Sequence, residues 1–179
     1  MQKNLTNIFL IGPMGSGKTS VGKVLSRLSH HILIDSDHEI EKRTGVDIPW
    51  IFEVEGETGF RKRETEVIGE LTKMQGIILS LGGGAVLSLM NRQCLVQNGI
   101  VIYLRVSIDQ QIKRIMANKQ TRPLLITHDT QEKLLELNRI REPLYREIAD
   151  LIYETDFLTP HELAKIIMRD VKLWIEKQK

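Results

Sequence analysis

The chain has almost no cysteine, little net charge and no long charge-free apolar helix pattern, and each shortage removes a class of protein. Cys94 is its single cysteine, so no internal disulfide can form. That fits a reducing compartment, with the thiol read as core packing rather than as a nucleophile. The formal net charge is +2 over 179 residues, too small to point to a nucleic acid or a membrane surface as a partner. His30, His31, His38, His128 and His161 have no ligand spacing with one another or with cysteine, which argues against zinc. Met1 to Asn7 holds one lysine and no apolar region before the first strand, so no signal peptide or anchor is expected and the chain is assigned to the cytoplasm. Met74 to Asn91 lacks charge and approaches membrane-spanning length, but three glycines at its middle make a strand ending in a turn the better reading. No repeat or low-complexity tract interrupts a composition of 41% apolar and 27% charged residues, and the length is that of a single domain, 1–179, able to bury a core.

What is present is organised around Gly12-Pro-Met-Gly-Ser-Gly-Lys18-Thr19, which matches the phosphate-binding P-loop at every specified position. Glycines without a Cβ let successive backbone N–H groups turn inward around a polyphosphate. Lys18 adds a positive charge for the β/γ-phosphates, Thr19 offers a hydroxyl to Mg²⁺, and the helix that begins here directs its positive end at the same anion. The context fits. Ile8 to Ile11 is a short apolar run suited to a buried parallel strand, and Val21, Val24, Leu25 and Leu28 fall on one helical face. ATP with Mg²⁺ is the expected ligand pair.

Further along, His31 to Ile34 reads as a second buried strand that delivers Asp35-Ser36-Asp37 to its carboxyl end, where ligands of open α/β sheets sit. Two aspartates so spaced on a strand share a face, one to assist Mg²⁺ and the other to meet a substrate; the open alternative is that Asp37 caps the segment starting at His38. A weak helical pattern runs through Trp50 and Phe52, and Gly59 opens a further helix to about Lys73. Ile77 to Leu81 is the third strand, ending in Gly82-Gly83-Gly84, where the cost in backbone entropy suggests a close approach of the chain to something. Residues 88–97 read as helix, Ile100 to Leu104 as a fourth strand and 107–117 as helix. Asn118 to Asp129 is long and polar for a plain connection and reads as a mobile lid. The helix starting near Thr130 carries Pro143, expected to kink or break it. Leu151 to Tyr153 is the fifth strand, and Thr159-Pro160 opens the last helix. Five apolar strands alternating with helices specify an α/β fold, a parallel sheet between two helical layers.

In their order these segments resemble the bacterial shikimate kinases over nearly the whole chain. The motifs that carry the likeness are the P-loop, Asp35-Ser36-Asp37, Gly-Phe-Arg-x-x-Glu at 59–64, the glycines at 82–84, Arg122-Pro-Leu-Leu and Arg141-x-Pro-Leu-Tyr-Arg146. The resemblance implies transfer of a phosphoryl group from ATP to the 3-hydroxyl of shikimate, on the way to chorismate, on a fold related to nucleoside monophosphate kinases. It implies that Gly12, Met14, Gly15, Ser16, Gly17, Lys18, Thr19 and Ser20 hold the nucleotide, with Thr19 and Asp35 serving Mg²⁺. Asp37 becomes the partner of the acceptor hydroxyls, Arg61 and Arg141 hold the carboxylate, and Gly82, Gly83 and Gly84 approach the ring. Arg122 is implied as the lid arginine reaching the phosphates and Arg114 as a stacking partner of adenine. Residues 36–64 would then be the shikimate-binding segment, and the protein a monomer. One departure is Ser80-Leu81 before the glycines, where many relatives carry a threonine next to the first glycine. Three rival readings are a GTPase, since Asn118-Lys119-Gln120-Thr121 superficially matches a guanine-reading motif but lacks its aspartate, a gluconate kinase, and a non-enzymatic nucleotide-binding scaffold.

Overall fold

The structure, a computed structural model, describes residues 6–117 and 130–177. Strands β1 (Ile8–Ile11), β2 (Ile32–Asp35), β3 (Ile77–Ser80), β4 (Ile100–Arg105) and β5 (Leu151–Glu154) form one sheet in the order β2-β3-β1-β4-β5. All four pairings are parallel. Helices α1 (Lys18–Ser29), α2 (Ser36–Thr44), α3 (Ile48–Leu71), α4 (Leu89–Asn98), α5 (Ile108–Ala117), α6 (Thr130–Ile148) and α7 (Pro160–Lys177) connect and cover it, with a 3₁₀ turn at Ala85–Leu87.

Side-chain alternation along β1 shows why two helical layers are needed. Ile8 and Leu10 join Val21 and Leu25 of α1 and Leu163, Ala164, Ile167 and Val171 of α7 in one core. Phe9 and Ile11 face the other way, into a core with Val67 and Ile68 of α3, Leu95 of α4 and Tyr145 and Ile148 of α6. Both faces of the central strand are thus buried, which is why its sequence is apolar without interruption. The strand second in sequence departs from that expectation. Among the described strands β2 pairs with β3 alone, so it is one edge of the sheet, and Ile32 is 64% exposed.

Two helices hold a helix-breaking residue. The weak pattern before Gly59 and the helix after it are two helical segments that meet within α3 at a bend, which falls at Gly56, three residues before the expected start of the second, where φ of 69° and ψ of −177° is a conformation only glycine adopts readily. Asp47 caps its start by accepting from the Trp50 amide at 3.0 Å. Pro143 neither ends nor divides α6, which continues through it to Ile148. In α7, Thr159 and Glu162 form a reciprocal cap: the Glu162 amide donates to Thr159 Oγ1 at 3.2 Å and the Thr159 amide to Glu162 Oε2 at 2.9 Å.

At the amino ends of the strands, Asn7 is fully buried. Its side-chain amide donates to the Met74 carbonyl at 2.7 Å and the Asn98 carbonyl at 3.1 Å, while its Oδ1 accepts from the Ile77 amide at 3.2 Å. Its own carbonyl accepts from the Ile100 amide at 2.9 Å. The carboxyl ends, by contrast, are left to the loops.

Candidate phosphoryl-transfer site

A cleft of about 1030 Å³ opens over the carboxyl ends of the strands, lined by residues of the P-loop, α2, α3, the triple glycine, α5 and α6. Its two halves are built differently.

The first half is backbone. Gly12 leaves β1 with φ of 142°, and a Cβ there would run into the Leu104 carbonyl of β4, so the loop can pass this point only as glycine. Gly17 ends the loop in a left-handed conformation with no side-chain cap on α1, and no acidic residue stands in that helix's first turn. The amides at the helix start are therefore directed at the cleft for an anion. Lys18 Nζ lies across the loop, donating to the carbonyls of Gly12 at 2.8 Å and Pro13 at 2.9 Å. Arg114 of α5 braces the loop's outer side: Nη1 donates to the Gly15 carbonyl at 3.0 Å and to Thr155 Oγ1 at 2.9 Å, tying α5 and the end of β5 to the loop. Met14, Ser20 and Ile115 complete this wall, and Ser16 is fully buried.

Between the halves lies a carboxylate with two hydroxyls. Asp35, the last residue of β2, accepts at Oδ2 from Ser80 Oγ at 3.0 Å and Thr19 Oγ1 at 3.4 Å, and at Oδ1 from the amides of Asp37 at 3.1 Å and His38 at 3.4 Å. The α2 cap is thus Asp35, which corrects both sequence readings of this motif: Asp37 is not the cap, and the two aspartates do not share a strand face. Asp37 sits in the first turn of α2 instead. A cluster of one carboxylate and two hydroxyls next to a phosphate loop suits Mg²⁺, which keeps several waters and takes one or two carboxylates plus phosphate oxygens. Among the described residues there is no group of three His, Cys, Asp or Glu able to hold a metal unaided. Ser80, of the Ser80-Leu81 pair noted in the sequence, supplies one of the two hydroxyls.

The second half is side chain. Arg61 of α3 is held by Glu64 Oε2 at 2.8 Å and Glu57 Oε1 at 3.2 Å, with its guanidinium 5.2 Å from the Phe60 ring centroid. Glu64 is 1% exposed. Burial pushes its carboxyl above the usual range, and the Arg61 charge beside it works in the opposite sense; Asp37 and Arg141 act on it too, so all four charges share one neighbourhood. A buried carboxylate of this kind is tolerable only with such a partner, since removing one member of a buried pair costs about 3–5 kcal/mol.

The glycines fit between these groups. A Cβ on Gly82 would lie 2.5 Å from Asp37 Oδ1, and one on Gly84 would run into the Arg61 guanidinium. The expected close approach is therefore to the side chains of the site itself. Gly82 donates its amide to Ser36 Oγ at 3.0 Å, and Gly83 accepts from Tyr145 Oη at 2.6 Å. Arg141 of α6 lies beside the same glycine. Arg122 and the segment 118–129 fall outside the described residues.

The structure thus brings together Lys18, Thr19, Asp35 and Arg114 on one side and Asp37, Arg61, Gly82 to Gly84 and Arg141 on the other. Sequence reasoning gave no role to Glu64, Tyr145, Ser36 or Ser80. Glu64 left a signal, three residues after Arg61 and so on the same helical face; Ser36 and Ser80 left none, because their partners are distant in the chain. The arrangement can hold a polyphosphate at one end and a small anion with hydroxyls at the other, with a carboxylate between.

The model of the shikimate kinase family matches residues 14–172. A shikimate kinase of Coxiella burnetii (strain Dugway 5J108-111) is 58% identical over 173 residues, 96% of this chain and 97% of that one. The solved shikimate kinase from Acinetobacter baumannii in complex with shikimate superposes with a TM-score of 0.89 at 46% identity, covering 99% of this chain and 97% of that one. A gluconokinase from Sinorhizobium meliloti, at 15% identity and a TM-score of 0.62 over 99% of this chain and 97% of that one, shares the fold alone.

Proposed function

The chain belongs to the shikimate kinase family, and from that premise we propose how its cleft transfers a phosphoryl group from ATP to shikimate. The activity is the ATP-dependent phosphorylation of shikimate. The observation that carries our assignment of roles is the convergence of Asp37, Arg61 and Arg141 on Gly82 to Gly84, facing the P-loop across one cleft.

Phosphoryl transfer asks little covalent chemistry of a protein and much positioning and charge. The backbone amides of Gly12 and of Met14 to Ser20, with the Lys18 side chain, take the ATP phosphates. Arg114, carried over as the adenine contact, stands where the loop meets the end of β5. Arg61 and Arg141 take the shikimate carboxylate, a planar anion that a guanidinium fork matches at both oxygens. Glu64 and Glu57 hold the Arg61 fork in place before substrate arrives. Asp37 orients the 3-hydroxyl and accepts its proton as the bond to phosphorus forms. Mg²⁺, held by Thr19 with Asp35 acting through water, would neutralise charge on the phosphates. Arg122 would add positive charge from the 118–129 segment, which we assign as a lid over the nucleotide. Residues 36–64 serve as the shikimate-binding segment of a monomeric, cytoplasmic enzyme. No helix among the described residues is long and apolar enough to cross a membrane.

The test is an ADP-release assay with ATP and Mg²⁺ against shikimate, quinate, gluconate and nucleoside monophosphates. Shikimate alone is expected to stimulate release strongly; equal stimulation by gluconate or a nucleoside monophosphate would overturn the reading.

A further inference from the structure

Tyr145 lies on the inner face of α6, 1% exposed, its ring stacked on Tyr103 of β4 with centroids 4.9 Å apart and planes 25° from parallel. A residue so placed is ordinarily counted as packing. Its hydroxyl, however, is at the site. A phenol has one proton to give, and here it is used: Oη donates to the Gly83 carbonyl at 2.6 Å, and Arg141 lies beside the same glycine.

The Gly83 carbonyl and the Gly84 amide belong to one planar trans peptide, so they point in opposite directions. Fixing the carbonyl toward α6 aims the Gly84 amide away from it. Three glycines in a row have more backbone freedom than any other tripeptide, and this segment is pinned by two side-chain hydroxyls, Ser36 at the Gly82 amide and Tyr145 at the Gly83 carbonyl. Ser36 opens α2, next to Asp37; Tyr145 stands one turn along α6 from Arg141. The ring, clamped by its stack on Tyr103, is a rigid post for the bond to Gly83.

We infer that Tyr145 is a positioning residue for the acceptor, its hydroxyl setting the direction of the Gly83–Gly84 peptide beside Arg141. The inference rests on the reading that shikimate occupies this half of the cleft. Its consequence is selective: loss of the hydroxyl disturbs the acceptor half and leaves the P-loop alone.

Tyr145→Phe keeps the ring and its stack while deleting the bond to Gly83. Steady-state kinetics with each substrate varied in turn should show KM for shikimate raised about three- to ten-fold while KM for ATP stays within about two-fold, the scale of one lost hydrogen bond confined to one half. Titration of shikimate without nucleotide should show a similar loss, independent of catalysis. A purely structural role would instead lower the melting temperature with an unchanged KM for shikimate, or raise both KM values together, and either result overturns the inference. Wild-type enzyme provides the separate check: if it fails to turn over shikimate, the functional reading falls and takes this inference with it, whereas normal wild-type turnover with an indifferent Tyr145→Phe removes the inference alone.

Discussion

The nucleotide half and the acceptor half of the cleft solve the same problem, holding an anion, by opposite means. The P-loop uses the backbone of eight consecutive residues and a helix start, with Lys18 bonded to carbonyls of its own loop. The acceptor half uses side chains from α2, α3 and α6 gathered around three glycines, and its arginine is held by two carboxylates. A backbone site is specified locally and recognises what all nucleotides share. A side-chain site needs the whole fold for its assembly, and in return can be matched to one acceptor. Substitutions in the two halves should therefore separate cleanly in kinetics.

The sharpest break should come at Asp37, where the halves meet. Asp37→Asn is expected to lower kcat by about 10²–10⁴ with ATP binding nearly intact, the range for removal of a general base. Since Asp35 caps α2, a turnover within a few-fold of wild type would leave Asp37 without a role. Next in size are the carboxylate arginines. Arg61→Ala or Arg141→Ala should each weaken shikimate binding by about 1.5–3 kcal/mol, as for a charged hydrogen-bonded contact. Lys62→Ala and Arg63→Ala should do far less, because Arg63 pairs with Glu55 at 2.6 Å on the outer surface of α3. Equal losses at all four positions, measured by titration, would mean that the acceptor half works by general attraction and that the contrast is false.

The smallest effect concerns the walls behind the two halves. Burial pushes the phenols of Tyr103, Tyr145 and Tyr153 up from the ordinary 10, Tyr103 to about 12, with the Glu142 charge adding to it. A raised folded pKa means that the unfolded chain loses its protons first, so stability is intact below pH 10 and declines as the pH rises from 10 toward about 12. Tyrosinate absorbance should then appear together with loss of helical dichroism. Phenols that titrate near pH 10 in protein that is still folded would show that these walls admit water.

The same contrast explains what could be read from the sequence. β1, β3, β4 and the P-loop were legible to within a residue because each is specified by its own neighbours: apolar, β-branched runs with a glycine close to one end. The status of β2 was not, since a strand's place at a sheet edge depends on which strands flank it, and His31 to Ile34 is as apolar as a central strand. The Gly56 bend was missed because Gly59, three residues on, is an equally plausible break; only the conformation distinguishes them. Arg61 and Arg141 were found through resemblance to a family, whereas the glycines stood out by their own cost in backbone entropy. Glu64 was within reach, three residues from Arg61 on one helical face; Ser36 and Tyr145 act across 46 and 62 positions in sequence, on Gly82 and Gly83, and spacing alone does not reveal such pairs.

Asn7 has a consequence for the rate at which the molecule comes apart. Its side-chain bonds reach across 67, 70 and 91 positions, so they can close only once β3 and β4 are seated on either side of β1. Contacts of such long reach pay their loop-closure entropy late, and a contact made after the barrier slows escape without hastening arrival. Asn7→Ala should therefore steepen the loss of native protein, with an unfolding rate constant about ten-fold higher or more and a folding rate nearly unchanged. Equal movement of both arms of the chevron would place the asparagine inside the folding nucleus. On this view the lifetime of the folded state is governed at the end of the sheet farthest from the chemistry, where a substitution can change durability and leave turnover untouched.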